Sequence, residues 1–351
     1  MFAIAVFVVG VAVTLAVAGS TLGFDFLAYH AAASRVLEGQ PAYDMSFQGA
    51  GGFGLFYYPP TFIPLVLPFG LLPAGLATWL WIAGLIAAFL VGTAVLPVGR
   101  ATKWTVVLLA GLSWPFVYAI KLGQVGQLLY LLFAIGWRWL DNGAVLGVSG
   151  ALGAAIKIQP GLVLAWAFLT RRWSAVVTGG IVLVVLASVA TLVAGPQAWA
   201  DFLTLIGRVT DPITTPHNVT PGALAYQAGL SHGAAALVQY ASMAVALVIF
   251  VVAALRLAPV PSYLVALLVS QLLSPILWDH YALLLLLPVA WLVDRGHWWA
   301  VVFVLATPWL AAGSIPPVIY PVAFWACLAT VVLIGRRDPR PAPATAPGTP
   351  P

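Results

Sequence analysis

Charge is what this chain has least of. Nine carboxylates and 14 Lys and Arg residues serve 351 positions, so 7% of the chain is charged and 63% is hydrophobic. A soluble protein of this size carries roughly a quarter charged residues. The mean hydropathy of +1.06 therefore puts the chain in the membrane class. Long polar stretches are also missing. None exceeds about 40 residues, which leaves no room for a separate soluble domain. Cysteine occurs once, as Cys327 inside an apolar run. That excludes an internal disulfide framework and a Cys-rich metal site. The net charge of +5 is spread thinly at the ends of apolar runs, as the positive-inside rule expects, so no nucleic-acid partner is expected. No metal-ligand spacing, phosphate loop, Ser-His-Asp pattern or internal repeat is visible. No metal or cofactor is expected.

What the chain does have is apolar runs. They read as spans near 2–20, 74–96, 104–120, 125–140, 174–195, 235–256, 260–277, 279–293, 297–311 and 319–335. The first reads as a retained helix, because no basic region precedes it. The segment 144–170 is too long for one pass and short for two. Its polar centre, Lys157-Ile158-Gln159-Pro160, predicts two short helices that meet at a break lining a cavity. Counting it as two passes gives about 12 helices, an all-α polytopic membrane protein with a single domain over 1–338. The Pro/Ala/Thr-rich segment 339–351 reads as a disordered cytoplasmic tail.

Arg100, Lys103, Arg138, Arg171, Arg172, Arg256, Arg295, Arg336 and Arg337 fall in alternate loops, which are then cytoplasmic. The two longest loops, 20–61 and 196–234, lie on the opposite face with Asp25, Glu38, Asp44, Asp201 and Asp211. Each of these loops, the first and fourth outer ones, carries an interfacial helix by pattern. One covers Phe26–Leu37 and ends at Gly39; the other covers Trp199–Ile206.

Few polar groups can converge on that outer face. Asp25, Tyr29, His30, Arg35, Tyr58, Lys121, Gln124, Lys157, His217, Asn218, Asp279 and His280 are the candidates. A carboxylate at the mouth of a span is costly unless used. Asp25 is either the base for an acceptor hydroxyl or an N-cap of the following helix. Lys157 is either a snorkelling lysine or an anion-binding one. His280 follows a proline break and an aspartate, which raises a site above a structural histidine. Asn218-Val219-Thr220 matches a glycosylation sequon, a match expected by chance in a long chain.

Taken in order, Asp25-Phe26-Leu27-Ala28-Tyr29, Gly39 with Ala42-Tyr43-Asp44, Tyr57-Tyr58-Pro59-Pro60, Gly123-Gln124-Val125, Lys157 with Pro160, His217-Asn218 and Ser274-Pro275 with Trp278-Asp279-His280 resemble glycosyltransferase family 87, bacterial transferases of the GT-C fold. Gly126 and Val219-Thr220 stand where that family often has Asn and Gln-Ser. The resemblance implies a GT-C-like bundle in the bacterial cytoplasmic membrane, with its active site facing outside. It implies inverting transfer of a hexose, commonly mannose, from a polyprenyl-phosphate donor to a lipid-linked or glycan acceptor, among membrane lipids. Asp25 is then the catalytic base. Lys157, His280, Gln124, Tyr58, Tyr29, Asn218, His217 and Arg35 then bind substrate. Arabinofuranosyl or other sugar transfer by the same fold, a polytopic transporter and a non-enzymatic scaffold are the alternatives. A transporter would show repeated halves and midplane charges, whereas these polar residues gather mostly at one face.

Overall fold

The computed structural model describes residues 1–46, 54–209 and 211–337. Segment 339–351 lies outside them. The described residues form helices and turns, with one isolated bridge between Ser113 and Pro308 and no strands. A membrane explains this, because each helix satisfies its own backbone groups where no water is available.

Helix α1 (Phe2–Ala18) leads through Gly23 into α2 (Phe24–Leu37), which ends before Gly39. Two short turns around α3 (Ile63–Val66) carry the chain to α4 (Ala74–Val95). Helix α5 (Arg100–Leu112) stops at Ser113, whose extended backbone lets Trp114 N donate to Thr307 O at 2.8 Å. The chain resumes as α6 (Trp114–Leu122) and bends by 118° into α7 (Gly126–Arg138). Next come α8 (Gly143–Ile156) and α9 (Leu162–Leu169), separated at Lys157–Gly161. Then follow α10 (Trp173–Ala194), α11 (Gln197–Val209), α12 (Pro221–Gln227), α13 (His232–Arg256) and α14 (Pro259–Leu272). A 3-10 segment, Asp279–Leu285, opens into α15 (Leu286–Asp294), and α16 (Val302–Leu305) and α17 (Ile319–Gly335) complete the order.

Among the described residues four helices, α1 with its following turn, α4, α10 and α13, are long and apolar enough to cross a membrane; the bent pair α6–α7 makes a fifth if it is one span. That is fewer than the twelve passes expected from sequence. The apolar runs are real, but breaks cut them. Run 104–120 is divided at Ser113 and run 297–311 is split into short turns. The break predicted at Lys157–Pro160 is present, and the segments expected to be helical in the two longest loops are helices, α2 and α11.

Exposed apolar residues mark the lipid-facing surfaces. Val177, Ile181, Val184 and Leu192 on α10 and Leu237, Val248 and Leu255 on α13 all face outward. Between helices, small residues permit close approach, as packing in lipid requires. A Cβ on Gly111 of α5 would sit 2.6 Å from the Phe7 Cα of α1, and one on Gly10 would overlap the Gly111 carbonyl. Buried Leu264–Val269 of α14 and Leu283–Leu287 form the centre of the core.

Candidate active site

The site is built where helices are interrupted. Gly23 and Gly123 both adopt left-handed backbone, with φ 73° and 69°. Gly23 N donates to Lys121 O at 2.7 Å, and Trp81 Nε1 donates to Gly123 O at 2.7 Å. The turn packs on α2 so closely that a Cβ on Gly123 would lie 2.7 Å from the Phe26 Cβ and 3.5 Å from the Gly23 Cα. Only glycine combines that backbone with that approach. The start of α2 is thereby held beside the turn between α6 and α7, which places Asp25 next to Gln124.

The cap reading of Asp25 does not hold. Gly23 is the N-cap of α2, with no side-chain capping bond. Asp25 instead accepts from Gln124 Nε2. Gln124 Oε1 accepts from the Tyr58 hydroxyl at 2.9 Å, and the Tyr29 and Tyr58 hydroxyls are 2.7 Å apart. Since Tyr58 gives its proton to Gln124, Tyr29 must donate to Tyr58. The chain of donors thus runs Tyr29, Tyr58, Gln124 and ends on the carboxylate. Burial pushes the Asp25 carboxyl above the ordinary value of 3.8, opposed by His280, by the Gln124 hydrogen bond and by Lys157.

Asp25 lines a cavity of about 790 Å³ together with Tyr29, Tyr58, Gln124, Lys157, His217, Asn218 and His280. Lys157, at the break after α8, donates to the Tyr281 hydroxyl at 2.8 Å and lies 5.4 Å from the centre of the Tyr58 ring. This is not a lysine snorkelling to the membrane surface. His280 is buried, with Nδ1 3.5 Å from Asp279 Oδ1, and its Nε2 has no hydrogen-bond partner among the described residues. Asp279 also accepts from Trp114 Nε1 at 2.8 Å. The cavity lining therefore offers a carboxylate, a lysine and a histidine around a space large enough for a phosphosugar.

The remaining predicted residues fall differently. Asn218 is fully buried, and its side chain is saturated: Nδ2 donates to Pro212 O and Pro275 O, while Oδ1 accepts from Thr220 N and Leu277 N. It clamps the loop before α12 to the turn at 275–277, and its burial excludes use of the sequon in the folded protein. His217 stands in the wall with a left-handed backbone, φ 58°. Arg35 stands apart from the cavity. It lies ten residues along α2 from Asp25, about 15 Å at helical rise, outside the cavity wall; its Nε donates to Pro41 O at 2.7 Å and its Nη1 lies 4.0 Å from Asp44. His30 is also outside, bonded to Leu72 O.

Trp114 and Tyr118, stacked at 4.6 Å in the wall, were missed from the sequence. The signal was available: Ser113-Trp114-Pro115 marks a helix restart inside an apolar run. Among the described residues no group of three His, Cys, Asp or Glu is placed to hold a metal ion.

The model of glycosyltransferase family 87 matches residues 56–278. Among curated proteins, a polyprenol-phosphate-mannose-dependent alpha-(1-2)-phosphatidylinositol pentamannoside mannosyltransferase of Mycobacterium tuberculosis (strain CDC 1551 / Oshkosh) is 30% identical, over 75% of this chain and 66% of its own length. A protein of the same description from Mycolicibacterium smegmatis is 29% identical, over 75% of this chain and 70% of its own. The chain thus spans about two thirds of the length of these relatives. No solved structure matches. With the family model spanning the cavity-forming breaks from Phe56 to Trp278, this chain belongs to glycosyltransferase family 87.

Proposed function

We propose that this protein is a membrane glycosyltransferase that moves a hexose, mannose by the relatives' description, from a polyprenyl-phosphate donor to a hydroxyl of a lipid-linked or glycan acceptor. The observation that carries this is the Asp25 carboxylate, held by a chain of donors in the lining of a cavity that Lys157 and His280 also line. The acceptor oxygen attacks C1 of the sugar, and its proton passes to Asp25. The bond from C1 to the phosphate oxygen breaks, and the polyprenyl phosphate leaves with the electron pair. Attack opposite the leaving group inverts C1. That leaving group is already an acid anion, so the paired carboxyls of a glycosidase are unnecessary. Lys157 and His280 are the groups that receive its charge.

A bundle of GT-C type, its short apolar helices pairing at the breaks to complete further passes, fits this chemistry. None of the nine basic residues assigned to cytoplasmic loops lines the cavity, which supports an active site on the outer face of the cytoplasmic membrane. The test is transfer by the purified protein in liposomes, offered polyprenyl-phosphate mannose, arabinose and glucose with phosphatidylinositol mannosides as acceptors. Product from the mannose donor is expected. Absence of transfer and of binding with every donor would overturn the proposal.

A further inference from the structure

We infer that Asp279 is a positioning residue for donor phosphate, acting through His280. This rests on His280 receiving the phosphate, as proposed above.

Both Asp279 oxygens are engaged. Oδ1 accepts from the His280 backbone N at 2.7 Å and lies 3.5 Å from Nδ1 of the same residue; Oδ2 accepts from Trp114 Nε1 at 2.8 Å. Trp114 begins α6, whose far end carries the turn that presents Gln124 to Asp25. Asp279 therefore ties the histidine to the same helix that positions the base. A carboxylate in contact with an anionic donor would repel it, so a direct role is disfavoured. An indirect one follows from histidine chemistry. The hydrogen bond at one ring nitrogen sets the orientation and proton placement of the other. With Nδ1 turned to Asp279, Nε2 is the atom left for a ligand, and it is the atom without a partner. A buried polar atom left unpaired is costly. In the doubly protonated ring both nitrogens donate, Nδ1–H to Asp279 and Nε2–H to a phosphate oxygen.

The experiment measures binding of farnesyl phosphate, a short polyprenyl phosphate, to the full chain in nanodiscs. The variants are Asp279→Asn, His280→Ala and both together. Each single change is expected to weaken binding about 10–100-fold, the worth of a hydrogen bond to a charged group. The double variant should be no weaker than His280→Ala alone, because residues acting through one another are not additive. Additive losses, or an Asp279→Asn protein that binds normally while His280→Ala does not, would overturn the positioning role and leave His280 in place. Normal binding by His280→Ala would instead remove the phosphate role of His280, and the inference with it. Nitrogen NMR of the unmodified protein with labelled histidine supplies a test that needs no folded aspartate variant. The His280 signals, identified by their loss in His280→Ala, should show a protonated Nδ1. An unprotonated Nδ1 would refute the inference.

Discussion

Replacing Asp25 by asparagine removes a proton acceptor and almost nothing else. An asparagine oxygen can still accept from Gln124 Nε2, so the chain from Tyr29 through Tyr58 and Gln124 survives. The cap of α2 is Gly23, so no capping bond is lost. Burial disfavours the ionised carboxylate, so a neutral amide in its place should leave the fold intact or slightly firmer. Helix α2 loses only the favourable placement of an anion in its first turn, about 0.3–1 kcal/mol. Chemistry loses more. A positioned general base contributes about 10²–10⁴ in rate, or roughly 3–5 kcal/mol of barrier. Asp25→Asn should therefore cut turnover at least about a hundredfold, with donor binding and thermal unfolding close to those of the unchanged protein. The assay is initial rate in liposomes at saturating polyprenyl-phosphate mannose, with binding and unfolding followed on the same preparation. A folded asparagine variant that turns over at near-normal rate would refute the assignment of Asp25 as base.

Three further outcomes are expected. Because burial raises the Asp25 carboxyl above 3.8, its protonated, inactive form persists to higher pH, and kcat/KM should fall as pH drops through that raised value; Gln124→Leu should move this acid limb further up, and a limb at or below the ordinary carboxylate range would contradict the role of burial. Gly123→Ala meets a left-handed backbone and the Phe26 Cβ at 2.7 Å, so it should cost roughly 2–5 kcal/mol, summing about 1–2 for the backbone and 1–3 for the overlap; an unchanged unfolding midpoint in detergent would show the turn to be slack. Cysteines placed at Ser46 and Thr214 should react with an impermeant thiol reagent on intact cells, over a silent background because Cys327 is buried; labelling only after permeabilisation would put the cavity on the cytoplasmic side.

Much was legible from composition and order alone. Scarce charge and long apolar runs dictate a helical membrane protein, because unpaired backbone cannot be left in lipid. The polar Lys157-Ile158-Gln159-Pro160 marks a break in an apolar run; the backbone extends at Lys157, φ −137° and ψ 142°, and Pro160 sits in the first turn of the next segment, Gln159–Gly161, where its missing N–H leaves no bond unmade. The short segments around Asp25, Gln124, Lys157 and His280 could be read as one constellation because their order resembles a family. Tertiary structure decided the rest. Local sequence leaves Asp25 free to cap its helix; the left-handed Gly23 takes the cap position, and a glutamine 99 positions away takes the carboxylate. Arg35 shares a helix with Asp25 but lies three turns along it, facing a different turn. Asn218 has the polarity of a ligand-binding residue, yet backbone groups near and 57–59 positions away consume every bond it can make. The apolar run 104–120 looks continuous until a strand-like contact with Thr307 and Pro308 interrupts it. Periodicity and composition act over one or two helical turns, whereas these bonds join residues far apart in the chain, and only packing brings them within reach.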